Sequence, residues 1–279
     1  MSCGRSSPRS RREAGFTLVE LLASVTLVAV ASAAVAQFFQ IQARRQSGHA
    51  FRVEMHQGLR SSLDAITRDL RLAGACMPTD GDFVAIAGTN GTNDTVTIRS
   101  GKVRTDMSCV QSALTAAAAS GQKNVVVGSS SGFAVNQRVY LRHPGGTGMF
   151  SFVNSIIGNT VQLTTNTNKI YPIGSGLFAV DERVYSLITA SGIKSLNLTI
   201  DQGTPQIFAA GVEDLQMKYI LQQNCPPCDV VDMPADAATW RLVNQVTVTA
   251  TARTVGASKT EDQVQLTETS RAKPRNLLP

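Results

Sequence analysis

From Phe16 to Ala36 the chain runs 21 residues with a single charged side chain, Glu20. At about 1.5 Å per residue a helix of that length spans about 30 Å, the thickness of the hydrocarbon core of a bilayer. Arg5, Arg9, Arg11 and Arg12 stand before this stretch against one acid, Glu13. Arginines before an apolar span and none within it predict that the leader stays cytoplasmic and that the rest of the chain is sent outward. An acid this close to the membrane interior costs about 2.5–3.5 kcal/mol on insertion scales, less near an interface, so Glu20 implies a partner or a snorkelling side chain.

The net charge of +6 raises the question of a nucleic-acid partner, but residues 1–15 alone carry +3 of it. The balance left for the remaining chain is ordinary for a globular protein, and no nucleic-acid binding is expected. At 279 residues with 43% apolar side chains, the chain suits one or two domains with a sizeable core.

Three kinds of processing are compatible with this N-terminus. A secretory signal peptide would use the small residues Ala34, Val35 and Ala36 as its cleavage site, with Glu20 interrupting the apolar region. A twin-arginine signal would be read from "SRREAGF" (10–16), where alanine and glycine occupy places that such a signal fills with bulky apolar residues. The third is a family resemblance. "GFTLVELL" (15–22) resembles the junction of type IV prepilins and type II secretion pseudopilins, where a short basic leader ends in glycine before phenylalanine and glutamate stands fifth in the mature chain. The resemblance implies cleavage by a prepilin peptidase between Gly15 and Phe16 and methylation of the new amino group of Phe16. It also supplies the partner for Glu20, the cationic amine of Phe16 on the same or a neighbouring chain, so that Glu20 would set filament register.

Helical patterning continues beyond the apolar stretch. Phe51, Met55, Leu59, Leu63, Ile66, Leu70 and Ala73 recur at spacings of three and four, which gathers them on one face. Arg52, Gln57, Arg60, Asp64, Arg68 and Arg71 fall mostly on the other faces, with Asp64 and Arg68 spaced for an i, i+4 pair. No proline interrupts the run between Pro8 and Pro78, and Gly74 followed by Pro78 gives a stop. One helix from about 17 to 74 would measure roughly 87 Å, with Gly48 and Gly58 as its weak points.

After Pro78 the composition changes to short β-prone runs separated by Gly, Asn, Ser and Thr. Ten strands are expected, at 83–87, 94–100, 123–128, 137–142, 149–157, 160–164, 177–189, 193–200, 211–221 and 242–254. The expected class is α+β and pilin-like, a long N-terminal helix packed on an antiparallel β-sheet head. The expected organisation is a basic leader at 1–15 and a helix at 16–75, whose membrane half is 16–37 and amphipathic half 38–75. A head follows at 76–279 with an inserted β-subdomain of small-barrel form at about 121–180. "LDAITRDLRLAGAC" (63–76) and "AAGVEDLQMKYIL" (209–221), followed by Trp240 and a long strand, resemble the PilW group of large minor pilins.

Of the five cysteines, Cys3 lies in the leader, which leaves Cys76, Cys109, Cys225 and Cys228 in an exported domain where oxidation is expected. We favour Cys76 with Cys109 and Cys225 with Cys228 among the three pairings that four cysteines allow. "CPPC" (225–228) would suit a redox dithiol if it opened a helix, or half of a zinc site if two more ligands stood near. Its prolines and the "DVVDMP" that follows read instead as a loop stapled by a local disulfide.

Other chemistry is sparse. His49 and His56 share a helix face without a carboxylate pair, and "HPGGTG" (143–148) lacks the Lys-Ser/Thr end of a phosphate-cradling loop. "TDGD" (79–82) and "TNGTND" (89–94) offer oxygens to calcium, although turn formation explains them without a metal. No catalytic residue, cofactor or metal is expected. The resemblance implies a non-enzymatic subunit of the bacterial inner membrane, single-pass with its head in the periplasm and later on a pilus or the cell surface. Its partners would be prepilin peptidase, other major and minor pilins, membrane lipid and the pilus assembly platform. A pseudopilin of a type II secretion system, or a periplasmic thiol oxidoreductase using Cys225 and Cys228, is the alternative.

Overall fold

The computed structural model describes residues 17–222, 227–253 and 265–274. It divides between Ala50 and Phe51 into two units. One helix, α1 (Leu18–Leu72), contains that division, and both Gly48 and Gly58 lie inside it.

In the first unit the side chains from Leu18 to Phe39 are exposed, among them Leu21, Val25, Val28 and Val35. The segment Leu18–Ala43, 26 residues, is apolar and long enough to cross a membrane. Two of its hydroxyls are satisfied within the helix: Ser24 Oγ donates to the Leu21 carbonyl at 2.8 Å and Thr26 Oγ1 to that of Ala23 at 2.9 Å. A polar group facing hydrocarbon needs such a bond, since no water is there to replace it.

In the second unit the described residues form the rest of α1, a short helix and fourteen strands. The strands are β1 (Ile86–Thr89), β2 (Thr95–Gly101), β3 (Gln111–Ala113), β4 (Asn124–Val126), β5 (Arg138–Arg142), β6 (Gly148–Ile157), β7 (Thr160–Leu163), β8 (Gly176–Ala190), β9 (Ile193–Ile200), β10 (Gln206–Ala210), β11 (Val212–Leu221), β12 (Val230–Val231), β13 (Val243–Arg253) and β14 (Gln265–Ala272), with α2 (Ala237–Arg241) before β13. The fold is α+β with an antiparallel, sheet-rich head.

The fifteen-residue β8 is the spine of the larger sheet. Its first residues pair with β3 and β5, and its later residues with β2 on one edge and β9 on the other. β8 turns into β9 through Ser191 and Gly192, whose φ values of 51° and 77° are the left-handed pair that a two-residue hairpin demands. The smaller sheet has the order β12-β11-β13-β14.

The α1 stripe is buried as its spacing requires: Leu59, Leu63, Ile66, Leu70 and Ala73 are all within 3% of complete burial, and Met55 packs beside them. Each large member contributes about 1.5–3 kcal/mol of transfer free energy. They share one core with Leu215 and Met217 of β11, Val246 and Val248 of β13, and Val96, Val180 and Leu196 of the larger sheet. Arg52, Gln57, Arg60, Asp64, Arg68 and Arg71 are exposed, while the side chain of Phe51 lies outside the described residues. At the helix end Gly74 takes φ 77° and its N–H donates to the Arg99 carbonyl at 2.9 Å, which ties the exit of α1 to β2. A second core draws on residues from Val110 to Ala179, centred on Leu114, Val139, Leu141, Val153, Val161 and Leu177.

Candidate functional site

Thr17 stands immediately before α1, and Glu20 lies in the first turn. The Thr17 N–H donates to Glu20 Oε2 at 3.1 Å and the Thr17 hydroxyl donates to the same oxygen at 3.2 Å. In return the Glu20 N–H donates to Thr17 Oγ1 at 3.3 Å. This reciprocal arrangement is a capping box, which satisfies two of the helix's orphan donors. It also sets the carboxylate against the positive end of the helix dipole. The acid in the apolar stretch is therefore held at the head of the helix. Gly15 and Phe16, the expected cleavage pair, lie outside the described residues. The sequence signal for Thr17 is the Thr-x-x-Glu spacing of residues 17–20, which marks a capping box apart from any ionic role of Glu20.

The expected cysteines fall on two places. Cys76 and Cys109 form a disulfide with Cα atoms 5.4 Å apart, joining the exit of α1 to the strand pairing before β3. Cys228 is disulfide-bonded, and Cys225 lies outside the described residues.

The glycine-rich and acidic turns meet each other. Asp82 of the first turn accepts from the Tyr140 hydroxyl and, at 3.0 Å, from the Gly148 N–H, while Asp80 pairs with Arg142. A Cβ on Gly81 would stand 1.9 Å from the Gly146 carbonyl oxygen, so two glycines are what let "TDGD" and "HPGGTG" touch. The second acidic turn is held by Asp94, which is buried and accepts from the N–H groups of Gly91 at 3.1 Å and Met217 at 2.7 Å. Both turns thus use their carboxylates on the protein itself. Among the described residues no three His, Cys, Asp or Glu side chains converge as a metal site would need. His56 faces Glu268 at 3.6 Å, and the side chain of His49 lies outside the described residues.

Sequence reasoning missed the buried charges of the head. Asp69 accepts from Arg183 and, at 2.7 Å, from the Tyr185 hydroxyl. Burial, reinforced by the Asp69 carboxylate, pushes that hydroxyl above its ordinary value. Glu182 is buried between Arg99 at 2.6 Å and Arg138 at 3.3 Å, and both guanidinium groups lie over the Phe150 ring. Burial lowers the pKa of Arg138. The available signal for Asp69 was its place three residues after Ile66 and four before Ala73, on the flank of the apolar face.

Residues 10–36 match the family described as the prokaryotic N-terminal methylation motif. The chain carries a type IV prepilin-like N-terminus. That motif supports a type IV pilin-like protein, of a pilus or a pseudopilus. It implies processing by prepilin peptidase and association with other pilins. Together with the apolar helix near the N-terminus, it fits a pilin-like chain anchored in the membrane with a soluble head. No curated protein matches the chain.

Proposed function

We propose that this pilin-like chain is a minor pilin of a type IV pilus that takes part in starting the filament and is not an enzyme. The observation that carries the reading is the methylation motif over residues 10–36 opening an apolar helix with one acid at its head. Prepilin peptidase cuts between Gly15 and Phe16 and methylates the amine of Phe16. The span holds the subunit in the inner membrane until the helices of neighbouring pilins, at the assembly platform, replace lipid around it. Glu20 then accepts the Phe16 amine and fixes axial register, because an unpaired carboxylate among packed helices is costly. The likeness of residues 63–76 and 209–221 to the PilW group supports a large minor subunit over a major one. Cys76, Cys109, Cys225 and Cys228 serve as structural staples in this reading.

Deleting the chain from its host tests the proposal. Piliation falls while export through a type II secretion system continues, and the full chain restores it. Lost secretion with normal piliation would assign the subunit to a pseudopilus instead.

A further inference from the structure

We infer that Thr17 is a positioning residue for Glu20, holding its carboxylate at the end of the helix where it can receive a cation. The inference rests on the proposed role of Glu20 but adds a residue to it. Both hydrogen bonds to the carboxylate converge on Oε2, from the N–H and the hydroxyl of Thr17 at 3.1 and 3.2 Å. Among the described residues no donor reaches Oε1. The two bonds occupy one oxygen of a carboxylate that has about four lone-pair sites in all, so capacity for a cation is built into the group.

Direction matters as much as capacity. A glutamate in the first turn of a helix has several rotamers, and those that lie along the helix flank would place its charge among apolar side chains such as Leu21 and Val25, which are exposed. The Thr17 hydroxyl removes that freedom from both ends, since it donates to the carboxylate and accepts from the Glu20 N–H at 3.3 Å. The carboxylate is thereby bonded to the residue next to Phe16, whose amine the proposed cleavage exposes. A β-branched residue is itself restricted at χ1, so the lock adds little entropic cost.

Valine has nearly the shape of threonine without its hydroxyl, and serine keeps the hydroxyl without the methyl group. The full-length protein, labelled with 15N at Thr17 and 13C at the Glu20 carboxylate, is placed in phosphatidylethanolamine and phosphatidylglycerol vesicles, and the dipolar coupling between the labels is measured. The same variants are expressed in the host, and their cleavage and recovery in sheared filaments are compared with those of Glu20→Ala. Thr17→Val is expected to be inserted and cut normally, with the coupled population and filament recovery each reduced about five-fold, the ordinary worth of an N-cap hydroxyl. Thr17→Ser restores both. Undiminished coupling in Thr17→Val overturns the inference, whatever Glu20→Ala does. So does wild-type recovery of Thr17→Val when Glu20→Ala is excluded, a result that leaves the role of Glu20 standing. Normal recovery of Glu20→Ala refutes that role instead, and the coupling then decides by itself whether Thr17 positions the carboxylate.

Discussion

Asp69 and Arg183, 114 residues apart in sequence, meet with Nη1 of the arginine 3.0 Å from each carboxylate oxygen. Asp69 belongs to α1 and is only 4% exposed at its side chain, whereas Arg183 belongs to β8 and also holds Asp181 at 3.1 Å. The Tyr185 hydroxyl completes the site at 2.7 Å. Replacing Asp69 with alanine leaves a buried hydroxyl and one end of a guanidinium without their acceptor. A loss of about 2–4 kcal/mol is expected in the unfolding free energy of the full-length protein in detergent. A change below about 0.5 kcal/mol would show that the pair is incidental.

The helix stripe makes a separate prediction. Ile66→Ala empties a fully buried position beside the strands of both sheets and should cost about 2–5 kcal/mol. Leu72→Ala, at a position 52% exposed, should stay within about 0.5 kcal/mol. Equal losses in denaturant titrations of the two variants would mean that the assigned face is wrong.

That stripe was legible because burial follows a period of 3.6 residues, and the spacing from Leu59 to Ala73 admits no other face. The long strands were legible for the same reason at a period of two. What stayed hidden was structure that depends on a neighbour. β14, "QLTETSRA", has one large apolar residue, Leu266, and forms because β13 offers it an edge and threonine pairs, Thr249 with Thr269 at 3.1 Å and Thr251 with Thr267 at 2.9 Å. β3 and β12 are too short to show alternation, and β10 lies beside β9 alone with a bulge at Phe208. α2 has five residues and begins because Asp236 accepts from the Thr239 N–H at 2.7 Å. At the membrane end the acid was plain from composition, while its bond to Thr17 required reading Glu20 as a cap as well as a charge.

The disulfide gives a third prediction. The Cys76–Cys109 bond closes a 33-residue separation between the exit of α1 and the larger sheet. Replacing both cysteines with serine should lower stability by about 2–4 kcal/mol. Adding reductant to the unaltered protein should shift its unfolding midpoint in the same direction, and a midpoint indifferent to both would deny the bond a structural role.

The alkaline limit of the head supplies a fourth. All four tyrosines are raised from their ordinary value near 10, in each case by burial first and then by a neighbouring carboxylate. For Tyr171 the value is pushed up to about 12, with Asp82 the carboxylate concerned. The folded state then keeps protons that the unfolded state has lost, so this stabilisation is complete below about pH 10 and drains away as pH rises through the folded values. Unfolding midpoints should fall above about pH 10, and Tyr185→Phe should make the fall shallower. An unchanged slope in that variant would contradict the assignment.

The measurement that bears most directly on the whole account is mass spectrometry of the protein purified from its own host. A mature chain beginning at Phe16 and carrying one methyl group on its terminal amine is the predicted result. A chain that begins at Gln37, or one that still starts at Met1, would contradict it.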